Sequence, residues 1–156
     1  METRSPVAVS AIEVRPLDDE DGEAVAPLEA AYAERYACAP LAGAAALRHY
    51  ARGGHAFVAH SAGAAVGLVL AHTVWDGARP VVRLARLCAA SDDRDVLRRL
   101  AGAVVKSAYD AAVYDLVAEL PEGDAEGRAA LEEHAFAPMP VTRFERVLGS
   151  RSAESA

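Results

Sequence analysis

The sequence predicts a single α/β domain of the α+β kind, in which a mixed, mostly antiparallel sheet is flanked by helices. Three observations predict it. Two apolar runs meet at the dipeptide Asp76-Gly77, a hairpin signal that joins antiparallel strands. An amphipathic helical pattern then separates the apolar run 81–87 from a second one at 114–120, and a crossover helix joins parallel strands. A length of 156 residues suits one compact domain.

Taken in order, Ile12-Glu-Val-Arg-Pro-Leu17 alternates apolar and polar residues as a half-buried strand does, and Asp18 to Asp21 supply helix caps. Val25, Leu28, Tyr32 and Tyr36 follow at helical spacing. Proline fits a helix only in its first turn, so Pro27 predicts a helix that starts late or kinks. A short helix over 44–51 ends at Gly53-Gly54, a C-cap signal. Strands are expected over 56–60 and 65–74, turned by Ser61-Ala-Gly63, and over 81–87 beyond the Asp76-Gly77 hairpin. Ser91 or Asp92 caps the next helix. There Leu97, Leu100, Ala101, Val104, Val105 and Ala108 form a clean apolar stripe. Residues 114–120 read as a buried strand broken by Pro121-Glu-Gly123, 125–134 as a helix, and 141–148 as a final strand. Residues 1–10 and 149–156 read as flexible tails around a domain spanning 11–148.

Composition excludes several classes. A net charge of −7 and a pI near 5.2 argue against a nucleic-acid binder, which carries a basic footprint. No apolar run reaches the 18 residues of a membrane span. The start lacks the basic-then-apolar build of a secretory signal, and Cys38 and Cys88 are too few for a disulfide or metal framework. A cytoplasmic setting follows as the expectation. His49, His55, His60, His72 and His134 show no metal-ligand spacing. The 37 alanines against one isoleucine, and Lys106 as sole lysine, read as coding bias.

The element order over 12–148 resembles that of the GNAT acyltransferase superfamily. Three stretches, Ala51-Arg-Gly-Gly-His-Ala-Phe57, Ala103-Val-Val-Lys-Ser-Ala-Tyr-Asp-Ala-Ala-Val-Tyr114 and Val147-Leu-Gly-Ser-Arg151, are more narrowly similar to a small uncharacterised GNAT-like family. The resemblance implies a strand splayed from its parallel neighbour, with the pantetheine arm of acetyl-CoA or another acyl-CoA in the gap. The splayed strand would be residues 81–88, with main-chain groups near Leu87 and Ala89 facing the arm. Arg94, Val96, Arg98 and Arg99 would meet the coenzyme's phosphates. The partner implied is a small-molecule amine, acylated by direct attack; a homodimer stays open.

Two departures from the superfamily pattern limit that inference. The phosphate motif Arg/Gln-x-x-Gly-x-Gly/Ala falls on Asp92-Asp-Arg-Asp-Val-Leu97, so Asp95 and Leu97 stand where glycine is expected and Asp93 adds a further side chain to the loop. Side chains there obstruct close backbone approach, and carboxylates repel an anion. As ordinary structure, the same aspartates cap and stabilise a helix N-terminus, and the arginines form a solvated face. In the late helix, Asp124, Gly127, Leu131 and Ala135-Phe136 overlie the superfamily's Asn-x-x-Ala-x-x-x-Tyr pattern and its following Gly-Phe. Leu131 replaces the tyrosine that gives a proton to the leaving thiolate. No catalytic acid or base is therefore assigned; Glu119 and Asp76 are the nearest carboxylates. Cys88 reads as a small buried hydrophobe, His55 as bonding a loop, His72 as a surface residue facing away from Trp75, and Tyr109 and Tyr114 as packing. Two functions follow: a divergent GNAT-like N-acyltransferase, or a catalytically inactive GNAT-fold module that binds another small ligand or a protein partner.

Overall fold

The structure, a computed structural model, describes residues 11–41 and 43–149. In chain order it forms β1 (Glu13–Pro16), α1 (Gly22–Arg35), α2 (Ala44–Gly53), β2 (Phe57–Ser61), β3 (Ala64–Asp76), β4 (Arg79–Ala89), α3 (Arg94–Asp110), β5 (Leu116–Ala118) and α4 (Ala125–Glu133). The five strands make one sheet in the order β1-β2-β3-β4-β5. The first four pair antiparallel, and β4 pairs parallel with β5, as the crossover through α3 requires.

Alternation along the strands builds a core on each face. Val58, Leu68, Leu70 and Cys88 turn toward α1 and α2, where they meet Val25, Tyr32 and Leu47. Ala59, Val69, Ala71, Val82 and Leu87 turn the other way, against Leu97, Leu100, Val104 and Leu131 of α3 and α4. A strand covered on both faces reads as a continuous apolar run, which explains the uninterrupted stretch around 65–71. The turn between β2 and β3 also follows from local chemistry. Ala62 and Gly63 both take positive φ, 51° and 77°, the two-residue turn that matches strand twist.

Gly67 fixes how close α3 lies. A Cβ there would sit 2.4 Å from Val96 Cγ1 and 2.8 Å from Leu100 Cδ1, nearer than any real contact. Gly67→Ala is expected to cost roughly 1–3 kcal/mol by overpacking. A shift in the urea midpoint at unchanged slope checks it, and no shift means α3 can back away freely.

Four expectations need correction. α1 begins early and carries Pro27 inside it; a 3-10 turn over Asp19–Asp21, closed by reciprocal bonds between Asp18 and Asp21, leads straight into it. The N-cap of α3 is Asp93, not Ser91 or Asp92. Tyr114 lies outside β5 and is exposed, edge-on to Tyr109. The segment 141–148 forms no strand: among the described residues it pairs with none of the sheet, and it is largely exposed. The expected tail at 1–10 and all but Gly149 of the expected tail at 149–156 fall outside the described residues. Among the described residues, no helix is long and apolar enough to cross a membrane.

Candidate functional site

The parallel pair is brief. Val82, Arg83 and Leu84 lie opposite Leu116, Val117 and Ala118, with Val82 N–H donating to Asp115 O and Glu119 N–H to Leu84 O. One residue later the β3–β4 register slips: Ala71 faces Leu84 while Leu70 faces Arg86, so Ala85 is an extra residue. Such a bulge bends its strand and raises its twist. From there β4 runs on to Ala89 while β5 has already ended, and the two strands part.

Helix α1 reaches both arms of this fork. Tyr36 Oη donates to Asp92 Oδ2 at 2.8 Å, on the turn that follows β4. Tyr32 Oη donates to Asp124 Oδ2 at 2.5 Å, beyond β5. Asp124 is buried, and its other oxygen caps α4 by accepting from Gly127 N–H at 2.8 Å. Gly127 permits this, because a Cβ there would stand 2.5 Å from the carboxylate. Burial and the bond to Asp124 push the Tyr32 hydroxyl far above its usual range. Burial and the bond to Asp92 push Tyr36 up to about 12. Both phenols therefore keep their protons at neutral pH. Ser91 and Asp92 both take positive φ, 54° and 50°, an arrangement that costs roughly 1–3 kcal/mol per residue. Tyr36 and Arg35 grip Asp92 and hold the turn there.

Beneath the fork lies a buried ion pair. Arg86, the residue after the bulge, places Nε 2.9 Å from Glu29 Oε1, an ionic contact without hydrogen-bond alignment. Its other nitrogens donate to Cys38 Sγ at 3.1 Å and Ala39 O at 2.5 Å, and the guanidinium sits 4.9 Å from the centre of the Tyr32 ring. Glu29 also accepts from Leu41 N–H. Sequence reasoning missed Glu29, although it lies four residues after Val25 and three before Tyr32, on the apolar stripe. A carboxylate on a buried stripe was the available signal.

The residues expected at a coenzyme site fall as follows. Leu87 is buried and Ala89 half-buried on the diverging end of β4. Val96 is buried in the first turn of α3. Asp93 folds its own carboxylate over that turn, accepting from Asp95 N–H at 3.0 Å and Val96 N–H at 3.3 Å. The donors an anion would use thus already have one. Arg94 pairs with Glu126 of α4, Arg98 with Asp95 and Glu133, and Arg99 with Asp95. Glu119 is held by Arg83 and Arg143. Leu131 is buried. Burial, reinforced by the charge of Glu29, pushes the Cys88 thiol up to about 12, which makes it inert. Among the described residues no group of three or more His, Cys, Asp or Glu side chains is placed to hold a metal.

Two of the family-like stretches meet away from the fork, at a groove of about 630 Å3 lined by Gly53, Gly54, His55, Phe57, Lys106 and Ser107 among others. Ser107 Oγ donates to Gly54 O at 3.0 Å and lies 2.7 Å from His55 Nδ1. The hydroxyl has one proton, so the imidazole Nδ1–H is the donor to Ser107. These bonds tie the end of α2 to α3, a structural role. His72 also departs from the surface placement expected of it: its ring packs edge-on against those of His49 and Tyr50.

A mixed sheet whose parallel pair parts beside the N-terminus of its long helix is the architecture of the GNAT acetyltransferases. The chain belongs to the family described as "Protein of unknown function (DUF1999)", which matches residues 13–151. Wild-type TTHA1254 from Thermus thermophilus is similar at 36% identity and TM-score 0.72, over 89% of this chain and 99% of that one. A ribosomal-protein-alanine N-acetyltransferase from Brucella melitensis biovar Abortus 2308 shares the fold at 20% identity and TM-score 0.69, over 89% and 100% of the two chains. An aminoglycoside N-acetyltransferase in complex with CoA does so at 18% identity and TM-score 0.72, over 92% and 99%. No curated protein matches the sequence.

Proposed function

We propose that this protein transfers an acyl group from an acyl-coenzyme A to a small amine by direct attack, inside the cell. The observation that carries this reading is the fork: three paired residues, a bulge at Ala85, and a diverging end of β4. Val82 and Leu84 turn their main-chain groups to β5, and the extra residue Ala85 shifts the alternation by one, so beyond the bulge the main-chain groups of Leu87 and Ala89 turn toward the gap. Those groups suit the amide-bearing pantetheine arm. Bound there, the coenzyme would supply an activated thioester; the chain's part is to hold the arm and orient the acyl carbon. The diphosphate fits less well. Arg94, Arg98 and Arg99 would share a phosphate with their acidic partners, and the N–H groups of Asp95 and Val96 turn to one only by displacing Asp93. The acid and base of transfer stay unassigned, and an acidic protein attracts a cationic amine at long range.

The Asp93 cap is the specific observation favouring a second reading, a GNAT-fold module that has lost the coenzyme. Calorimetric titration with acetyl-CoA separates the two. The acyltransferase reading expects saturable heat that Arg94→Ala weakens by up to about fivefold, since exposed ion contacts contribute under ~1 kcal/mol, and that Glu119→Ala leaves unchanged. No heat at millimolar ligand establishes the second reading.

A further inference from the structure

The groove beside His55 lies where two helices end. Helix α2 stops at Gly53 and α3 at Asp110, and both residues line the same hollow. A helix C-terminus carries unpaired carbonyls and the negative end of the macrodipole. Two such ends therefore converge on one groove. Its volume, about 630 Å3, lies within the roughly 300–1,000 Å3 of small-molecule sites.

His55 supplies a directed acceptor between those ends. The residue is 6% exposed. Its Nδ1–H is spent on Ser107 Oγ, whose own proton goes to Gly54 O. That relay fixes the tautomer and leaves a lone pair on Nε2. Among the described residues nothing bonds to Nε2, and it is not one of the buried atoms left without a partner. It therefore opens to the groove that His55 lines. Burial lowers the imidazole's pKa, so the ring is neutral at neutral pH and Nε2 accepts. Val14 and Phe57, both half-buried, add an apolar wall. Lys106 is the only lysine or arginine on the lining. Its Nζ is already matched to Asp110, so the two charges cancel.

We propose that this groove binds a small primary amine in its ammonium form, with one N–H donated to His55 Nε2 and the carbon body laid on Val14 and Phe57. A cation is the occupant because the imidazole nitrogen and the two helix ends all favour one. An anion would meet the helix ends with like sign and leave Nε2 without a donor. Among the described residues no three His, Cys, Asp or Glu side chains converge there, so the wall selects an organic cation over a metal ion. A chain of net charge −7 draws such a cation from solution. The site lies away from the fork, and the inference does not rest on the coenzyme reading.

The test is an NMR titration of the full chain at neutral pH with benzylamine, following the His55 ring, with benzoate and benzyl alcohol as controls. Saturable binding at millimolar benzylamine, with a shift of the Nε2 signal, is expected; benzyl alcohol should bind more weakly and benzoate not at all. Lys106→Met removes the competing cation and should tighten benzylamine binding, whereas Asp110→Asn leaves Lys106 unmatched and should weaken it. Each change is expected to be about two- to fivefold, the range of an exposed charge contact. Both side chains are exposed, so neither variant threatens the fold. His55→Phe should weaken binding about tenfold or more, as loss of a hydrogen bond to a charged group does; the two surface variants decide the matter if it does not fold. Lack of saturable benzylamine binding at millimolar concentration overturns the proposal. So does benzoate or benzyl alcohol binding as tightly as benzylamine, or an affinity that neither surface variant moves.

Discussion

Glu29→Ala is expected to destabilise the fold by about 3–5 kcal/mol, the cost of leaving a buried charge without its partner. Arg86 is 6% exposed and Glu29 1%, so bulk water does not solvate the charge left behind. Glu29 also accepts from Leu41 N–H, which the change orphans as well. Arg86→Ala should cost a similar amount, for it strips the Cys38 and Ala39 contacts along with the ion pair. The two losses share one interaction, so the double variant should cost clearly less than their sum. Urea unfolding of the three variants measures this. Additive losses would mean that the pair contributes nothing as a pair, and that the fork is not held from below by it.

Asp93→Gly is expected to tighten acetyl-CoA binding by about tenfold. Asp93 is exposed, and a carboxylate about 4 Å from a phosphate charge opposes it by roughly 1 kcal/mol in water and more where solvent is partly excluded; each 1.4 kcal/mol is tenfold in affinity. Glycine also frees the Asp95 and Val96 N–H groups that the carboxylate now occupies, while at an N-cap it costs stability only a few tenths of a kcal/mol. The gain should therefore show in titration without a matching fall in thermal midpoint. Unchanged affinity would refute the view that Asp93 occupies the phosphate seat.

Much of this arrangement was legible in the letters. The stripe from Leu97 to Ala108, the Asp76-Gly77 turn and the crossover before β5 each have a local cause, a period or a dipeptide, and the structure follows them. Asp93 and Asp95 in a loop that the superfamily keeps glycine-rich stood out at the helix start, and the structure shows Asp93 folded over it. Sequence could not show that Asp92 would grip Tyr36 and Arg35, because those partners lie some fifty residues away and meet only through the tertiary fold. The same holds for Tyr32 with Asp124. The pairing of Glu29 with Arg86 was half legible: a charge on a buried stripe announces that a counter-charge exists without saying where. Residues 141–148 show the reverse limit. Their composition supplies a strand's chemistry but not its neighbour, and among the described residues they find none. Pro27 left two options, a late start or a kink; the helix starts early, at Gly22, which removes the first, and packing of Val25 and Tyr32 on the sheet holds α1 across the proline.

The proposed function makes one sharp claim: the gap between β4 and β5 takes the arm of coenzyme A, while Asp93 occupies the N–H groups of Asp95 and Val96 that a phosphate would use. Parallel titrations of the wild-type protein with acetyl-CoA and with S-acetylpantetheine, which carries the arm and no phosphate, measure it. Binding of both, with acetyl-CoA no more than about tenfold tighter, is the result expected, since tenfold corresponds to ~1.4 kcal/mol from all the phosphates together. Absence of binding by either ligand at millimolar concentration, or a preference for acetyl-CoA of a hundredfold or so, near ~2.7 kcal/mol, would contradict it.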